Sequence, residues 1–179
     1  IAFMRKTTKV PAVAAIALAL VMIALFYALV IRPGSAVPPL HDVTTDLDDP
    51  PEFRTLTLRE DNLVGFNNIE EWRSAHREGY PDIAPIIIDK APARVLADAR
   101  ALAEQRGWDI ASVDPLSGHM EATAYAGYIR FMDDVIVEVT PIADGSTRVD
   151  MRSVSRVGMS DLGYNAERIR DFLRDLQAA

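Results

Sequence analysis

The chain has 179 residues, of which 49% are hydrophobic, and it contains no cysteine. This apolar content is enough for a folded core, which excludes a disordered chain, and the lack of cysteine excludes a disulfide scaffold and a cysteine-ligated zinc domain. Residues 40–179 carry 15 basic and 26 acidic side chains, a net charge of −11, so this part of the chain would be repelled by nucleic acid and by an anionic lipid surface.

Residues 10–31 are an uncharged apolar run, VPAVAAIALALVMIALFYALVI, which is long enough for one transmembrane helix. Arg5, Lys6 and Lys9 precede the run, whereas only Arg32 follows it closely. The positive-inside rule therefore predicts a single-pass protein of a bacterial inner membrane with a periplasmic C-terminal domain. A cleaved signal peptide is the alternative, although its apolar region usually spans only about 7–15 residues.

This topology divides the chain into four predicted parts. They are a basic cytoplasmic N-terminus over 1–9, a transmembrane helix over 10–31, a linker over 32–40 and an exported domain over 41–179.

Small residues recur along the predicted membrane helix. Ala24 and Ala28 lie four residues apart, and Ala17 lies seven residues, or about two turns, before Ala24. Such spacing lets two helices approach closely in lipid. We therefore predict that these three alanines contact integral membrane subunits, with a general abundance of alanine as the alternative.

The exported domain begins with a weakly periodic stretch. Residues 41–85 contain turn signals such as Pro50-Pro51 and Tyr80-Pro81, and we expect them to wrap around the core in an extended form, with one short helical turn at 70–73. The pattern then predicts a strand over 86–88, a helix over 91–106 and a strand over 108–113.

Three later segments alternate between apolar and polar residues, as strands of an antiparallel sheet with one covered face do. They lie at 120–126, 135–140 and 148–152, and Asp144-Gly145 is a hairpin signal between the last two. The polar face is predicted to be solvated and carries Glu121, Glu138, Arg148, Asp150 and Arg152.

A second amphipathic helix is predicted over 165–177. The fold class is therefore α+β: a small antiparallel sheet with two helices on one face, preceded by a single transmembrane helix. In this arrangement Leu102, Phe172 and Leu176 are expected to be buried against the apolar face of the sheet.

Several motifs follow one another in a recognisable order. They are HDVTTD at 41–46, YPDIAP at 80–85, EATA at 121–124, DDV at 133–135, RSVSRVG at 152–158 and DLGYNA at 161–166. The chain thereby resembles, over residues 40–177, the bacterial and chloroplast family of domain of unknown function 1499. The resemblance sharpens the domain boundaries and implies no particular activity.

The sequence offers few catalytic candidates. Asp133 and Asp134 are adjacent, but neighbouring residues of a strand point to opposite faces, so they are not expected to share a proton or a metal ion. His41, His76 and His119 have no spacing suited to a metal site or a triad and are interpreted as surface residues. We predict no metal site, no cofactor and no catalytic residue.

The densest polar group lies between residues 148 and 165. Arg148, Arg152, Arg156 and Asp161 could bind a carboxylate or phosphate through forked arginine contacts, or could form an internal ion-pair network, which we favour.

These patterns favour a non-catalytic, membrane-anchored accessory subunit of an inner-membrane complex, respiratory or photosynthetic, whose exported domain caps the complex. Its expected partners are integral membrane subunits and, through the anchor, membrane lipid. The alternative is an anchored periplasmic binding module for a lipid or another apolar ligand. A hydrolase that uses Asp133 or Asp134 is the least favoured reading.

Overall fold

The computed structural model describes residues 10–32, 37–126, 130–143 and 145–179. The chain divides into two compact units, residues 1–37 and 38–179. Some sequence predictions lie outside the described residues: the basic N-terminus over 1–9, residues 33–36 of the linker, and Asp144 of the hairpin signal.

The first unit contains one apolar helix. Helix α1 spans Val10–Phe26 and continues as a π-helical turn over Tyr27–Ile31, where the N–H group of Arg32 donates to the carbonyl oxygen of Tyr27. Residues 12–29 have a mean hydropathy of 2.7, and none of this segment is buried. The predicted apolar helix is confirmed; its length and composition suit a membrane anchor and also a signal sequence.

The second unit is built on one antiparallel sheet of six strands. The strands are β1 (Asp42–Thr44), β2 (Ile86–Ile88), β3 (Asp109–Asp114), β4 (His119–Ala126), β5 (Phe131–Pro141) and β6 (Thr147–Ser155). Their order is β1-β6-β5-β4-β3, and β2 also pairs with β6. Strands β1 and β2 share one edge of β6, since β1 pairs with residues 152–154 and β2 with residues 147–149.

Three helices accompany the sheet: α2 (Ile69–Gly79), α3 (Pro92–Gln105) and α4 (Tyr164–Ala178). The side chain of Asn68 caps α2 by accepting from the N–H group of Glu71, and Pro92 occupies the first turn of α3, where its missing N–H group costs nothing. Helix α3 contacts β3, β4 and β5, and α4 contacts β6. The predicted α+β fold, with two helices on one sheet face, is confirmed.

The core lies between the sheet and helices α3 and α4. Phe172 and Leu176 are buried there, as predicted, and the ring of Trp108 stacks on that of Phe172 with 5.0 Å between centroids. The prediction for Leu102 is wrong, because this side chain is only half-buried. The buried stripe of α3 centres instead on Val95, Leu96, Ala99 and Ala103, and Leu102 lies at its margin.

The prediction that the polar face of the sheet is solvated is wrong for Glu121, Asp150 and Arg152, which are buried, whereas Glu138 and Arg148 are partly exposed. Residues 45–62, here called the covering segment, lie across this face without regular secondary structure of their own. Glu121 is fully buried, and Arg152 and Asp150 are 7% and 9% exposed. The predicted wrap is present over residues 45–62 and encloses much of the polar face, whereas the predicted helical turn at 70–73 is part of the 11-residue helix α2.

The core assignment predicts different costs for two substitutions. Phe172→Ala should lower the free energy of unfolding by about 3–5 kcal/mol, because it removes a buried ring and leaves a cavity. Leu102→Ala should cost clearly less, because its side chain already contacts solvent. Denaturant unfolding of both variants of the full chain in detergent measures the difference; equal losses would contradict this placement of the core.

Candidate functional site

Arg152, in the middle of β6, is bound on all sides by the domain itself. Its Nε and Nη2 atoms donate to Oδ1 and Oδ2 of Asp42 at 3.0 and 2.7 Å. Its Nη1 atom donates to the carbonyl oxygen of Pro51 in the covering segment at 3.0 Å, and Asn62 donates to the same Asp42 carboxylate. The guanidinium thus joins β6, β1 and the covering segment.

The two other arginines of this group are engaged in the same way. Arg148 donates to both carboxylate oxygens of Asp150 and to Asp46 at 2.7 Å. Arg156 donates from Nε and Nη2 to the two oxygens of Asp134 at 2.9 and 2.8 Å. Each arginine therefore has a carboxylate partner within the domain, and the arginines and their partners form a row along β6.

Asp161, the fourth predicted member of this group, has a different role. Its carboxylate accepts hydrogen bonds from the N–H groups of Gly163 and Asn165, at the start of α4. Burial raises the pKa of Asp161 above its usual value, although these two N–H groups act in the opposite direction. Its carboxylate is thus bound by backbone amides, while the three arginines are bound by other aspartates.

Asp133 and Asp134 lie inside β5 and are both buried. Asp133 accepts from Nη2 of Arg168 in α4 at 2.6 Å, whereas Asp134 pairs with Arg156 under the covering segment. Because the two carboxylates face opposite sides of the sheet and each has its own arginine, they do not form a paired acid and base.

Arg168 belongs to a polar cluster that sequence reasoning did not find. It also donates to the hydroxyl oxygen of Ser153 at 2.9 Å and to the side-chain oxygen of Asn165. Asn165 in turn donates to Ser155 and to the carbonyl oxygen of His41, each at 2.9 Å. This cluster connects β5, β6 and α4 with the residue that precedes β1, and its hydrogen-bonding groups are satisfied by one another.

The prediction that the three histidines are surface residues is wrong. His41, His76 and His119 are only 1%, 1% and 2% exposed. His76 lies in α2, His119 is the first residue of β4, and His41 directly precedes β1, so the burial of each ring depends on tertiary contacts that its local sequence does not reveal.

His119 bridges two glutamates at the start of β4. Its Nδ1 atom lies 2.9 Å from Glu138, and its Nε2 atom lies 2.9 Å from Glu121. Burial alone would lower the pKa of His119, but the hydrogen bonds to Glu138 and Glu121 outweigh it and raise the pKa. Gly118 positions the ring: its φ is +68°, and a Cβ atom there would lie 2.3 Å from the carbonyl oxygen of Val139.

Glu121 anchors the covering segment from the centre of the polar face. Its carboxylate accepts from the backbone N–H groups of Arg54, Thr55 and Leu56, with shortest distances of 2.6, 3.0 and 2.6 Å. Burial alone would raise the pKa of Glu121, but these N–H groups and His119 outweigh it and lower the pKa. A carboxylate held this way stabilises the fold and has no unoccupied lone pairs for catalysis.

His76 lies between Trp72 and Tyr80 on α2, with ring centroids 5.7 Å from each. Its Nε2 atom accepts from the N–H group of Thr44 at 3.2 Å, while its Nδ1 atom has no partner. Burial lowers the pKa of His76 to about 4, although Asp42 acts in the opposite direction. The neutral ring joins α2 to β1.

This environment predicts a pH dependence of stability. The folded-state pKa of His76 lies below its unfolded value of 6.5, so its contribution is complete above pH 6.5 and is lost as the pH falls toward 4, by up to about 3 kcal/mol. The free energy of unfolding of the full chain in detergent, measured from pH 7.5 to 4.5, tests this.

A matched control for that experiment is His76→Gln, whose side-chain oxygen can accept from Thr44 but does not titrate. Its stability should fall less steeply over the same pH range. Comparison with this variant also removes the opposite contribution of His119, whose raised pKa stabilises the fold at low pH. Parallel pH profiles for the two proteins would contradict the role assigned to His76.

No group of three His, Asp or Glu side chains is arranged to hold a metal ion within the part of the chain that the structure describes. In the acidic run at 42–49, Asp42 and Asp46 bind Arg152 and Arg148, and Asp46 also accepts from the N–H groups of Asp48 and Asp49.

Two concave regions border these polar groups. A cleft of about 210 Å³ lies between the covering segment and β5–β6, with Arg59 and Arg156 in its lining. It is smaller than the usual 300–1,000 Å³ of small-molecule sites, and Arg59 is already bound by Asp61 and by the carbonyl oxygen of Gly158. A more open groove of about 380 Å³ lies beside α4 and includes Trp108, Tyr125 and Tyr164.

The family described as a protein of unknown function (DUF1499) matches residues 42–176, and the chain belongs to this family. No curated protein matches the chain.

The solved structures that are similar to the chain include the following three, each over about half of the chain's length. The first is the di-domain ARO/CYC BexL from the BE-7585A biosynthetic pathway, at 13% identity and a TM-score of 0.37, covering 52% of this chain and 42% of that one. The second is a conserved protein from Geobacillus kaustophilus, at 16% identity and a TM-score of 0.28, covering 52% and 90%. The third is TTHA0849 from Thermus thermophilus, at 13% identity and a TM-score of 0.28, covering 53% and 85%. Likenesses this distant carry no function to the present chain.

Proposed function

We propose that this protein is a non-catalytic, single-span accessory subunit of a respiratory or photosynthetic complex in a bacterial inner membrane, and that its periplasmic domain caps the complex. The observation that carries the proposal is that the side chains best suited to chemistry already bind one another. Arg152 pairs with Asp42, Arg156 with Asp134, and Arg168 with Asp133. A catalytic carboxylate or a substrate-binding arginine must instead offer its lone pairs or N–H groups to a substrate.

The apolar helix supports the membrane part of the proposal. The side chains of residues 12–29 are exposed, which means that no other part of the first unit packs against them. Ala17 and Ala24 lie in α1, and Ala28 lies in the π-helical turn, a feature that is often found at functional positions of helices. Helices that associate in lipid do so through close packing at small residues, which these alanines allow.

A module that binds a lipid or another apolar ligand between the sheet and the helices remains the alternative function. Ile169, Phe172 and Leu176 fill that layer, and each is at most 1% exposed. An apolar ligand would have to displace these side chains, at a cost comparable to that of opening a core cavity. The accessory role requires no such opening, and we favour it for this reason.

The proposal predicts that the alanine stripe holds the protein in its complex. Ala24→Leu or Ala28→Leu should release the protein, because the larger side chains prevent close helix approach. Leu25→Val, a conservative apolar change at another position around the helix, is the control and should be retained. Native gel electrophoresis of mildly solubilised membranes measures co-migration. Equal retention of all three variants would show that the helix is only a tether.

The orientation gives a separate prediction. Because Arg5, Lys6 and Lys9 precede the apolar run, the domain over 41–179 should lie on the periplasmic side. Protease added to spheroplasts should therefore digest the domain, while inverted vesicles should protect it. The reverse pattern would contradict the proposed topology.

A further inference from the structure

Six apolar side chains are exposed together at one end of the sheet. We call this group the apolar end; its members are 42–60% exposed and comprise Phe131, Met132, Val157, Met159, Leu162 and Tyr164. They belong to the start of β5 and to the loop between β6 and α4, which meet where the N–H group of Arg156 donates to the carbonyl oxygen of Met132. Exposed apolar side chains that are grouped in this way mark an interaction surface.

The chain enters the domain at this same end. The carbonyl oxygen of Leu40 accepts from the N–H group of Asp161 at 2.9 Å, and that of His41 accepts from the N–H group of Ser155 at 2.8 Å. The first residues of the domain are therefore hydrogen-bonded to the loop that carries Val157, Met159 and Leu162.

Backbone strain is also found here. Arg130 and Leu162 are the two non-glycine residues with positive φ in the described part of the chain, at 52° and 57°. A left-handed conformation is unfavourable for a bulky side chain such as leucine, and such strain is typically kept where a side chain has a function. In this case it accompanies a leucine side chain that is 44% exposed to solvent.

The charges at the apolar end differ from those of the whole domain. Residues 40–179 carry a net charge of −11, whereas the exposed charged side chains of segments 130–132 and 156–164 are Arg130 and Arg156. The carboxylate of Asp161 is half-buried and bound by backbone amides. Arg156 pairs with Asp134, and Arg59 links the exposed Asp61 to the carbonyl oxygen of Gly158, so charges of both signs lie at this end. An anionic surface would therefore repel it less than the net charge of the whole domain implies.

The apolar run of the proposed anchor ends at Ile31, and the domain begins at Pro38. Covalent geometry alone limits the distance between the Cα atoms of Arg32 and Pro38 to about 20 Å. With the proposed anchor in the bilayer, this short linker keeps the first residues of the domain close to lipid, so that even weak binding is sufficient.

We propose that the apolar end rests on the outer lipid surface, with Val157, Met159 and Leu162 among the acyl chains near the headgroups and Arg130 at the level of the lipid phosphates. Aliphatic and aromatic side chains with flanking arginines are the composition of interfacial membrane contacts. The inference rests on the retained anchor of the proposed function, and it adds lipid as a second contact of the same protein.

The absence of cysteine allows a direct test with single-cysteine probes in the full chain. Val157→Cys and Met159→Cys carry an environment-sensitive fluorophore at the apolar end. Ile87→Cys and Leu116→Cys are matched controls, since both residues are exposed and apolar but lie at the other end of β6 and in the turn before β4. Each labelled protein is reconstituted into vesicles of phosphatidylethanolamine and phosphatidylglycerol.

We expect the emission at positions 157 and 159 to shift to shorter wavelength and to be quenched by a lipid-attached quencher. Positions 87 and 116 should be quenched by aqueous iodide instead. A Met159→Asp change should reduce lipid quenching of the probe at 157. Iodide quenching at 157 and 159 equal to that of the controls would overturn the proposal. Shielding of these probes only in native membranes would also overturn it, in favour of a protein partner.

Two measurements separate this inference from the proposed function. The mass of the protein extracted from native membranes shows whether the anchor is retained. Co-migration of Met159→Asp with the complex on a native gel should be unchanged if the alanine stripe alone holds the protein in place. Failed lipid contact with normal co-migration would reject the lipid contact alone, whereas lipid contact without co-migration would reject the accessory role alone.

Discussion

The pair formed by Arg152 and Asp42 holds three parts of the domain together. Both side chains are more than nine-tenths buried, and removing two such charges from water costs several kcal/mol per ion. The structure offsets this cost with two parallel hydrogen bonds, a carbonyl oxygen from Pro51 and an amide from Asn62. The three-residue strand β1 is also held by the hydrogen bond from the N–H group of Thr44 to His76, and the covering segment by Glu121. The charge pair is the contact that joins both of them to β6.

The enclosed polar face explains why charged residues persist in a buried layer. The covering segment has no regular secondary structure, so its backbone N–H groups need acceptors, and Glu121 supplies one for three successive residues. A hydrophobic side chain at position 121 would leave those N–H groups buried and unpaired. The alternation of apolar and polar residues in β4 to β6 therefore corresponds to two faces that are covered differently. Helices with apolar stripes pack on one face, and the polar covering segment packs on the other.

Several elements were predictable because their signal is local. The alternation in β4 to β6 and the apolar stripes of α3 and α4 gave the sheet and its helical layer. Strand β1 was not predictable, because three residues carry no periodicity and their partners lie about 110 positions away in sequence. The prediction for Leu102 was wrong for a different reason. The spacing of apolar residues locates an apolar stripe on α3, but it does not show which edge of that stripe faces solvent.

The polar cluster around Arg168 was missed although the sequence contained part of its signal. Asp133 lies two and four residues before Val135 and Val137, so its side chain points to the same apolar face of β5. A carboxylate buried on that face requires a cation nearby. Arg168 lies four residues before Phe172, on the same stripe of α4. An arginine in an amphipathic helix is ordinarily interpreted as solvent-exposed. Its ion pair with Asp133 can be predicted only after Asp133 has been recognised as a charged residue on the apolar face of β5.

The distribution of satisfied and unsatisfied groups points to where this protein can interact. The buried Arg152 and Arg168 and the exposed Arg156 are all bound by carboxylates, which leaves the domain little capacity for polar recognition through them. At the apolar end the relation is reversed, because the apolar side chains there lack cover, and Leu162 is exposed although its backbone conformation is unfavourable. Binding there would gain free energy by removing apolar area from water without breaking any internal ion pair. A domain arranged in this way is suited to lie against an apolar or interfacial surface while its own structure stays unchanged.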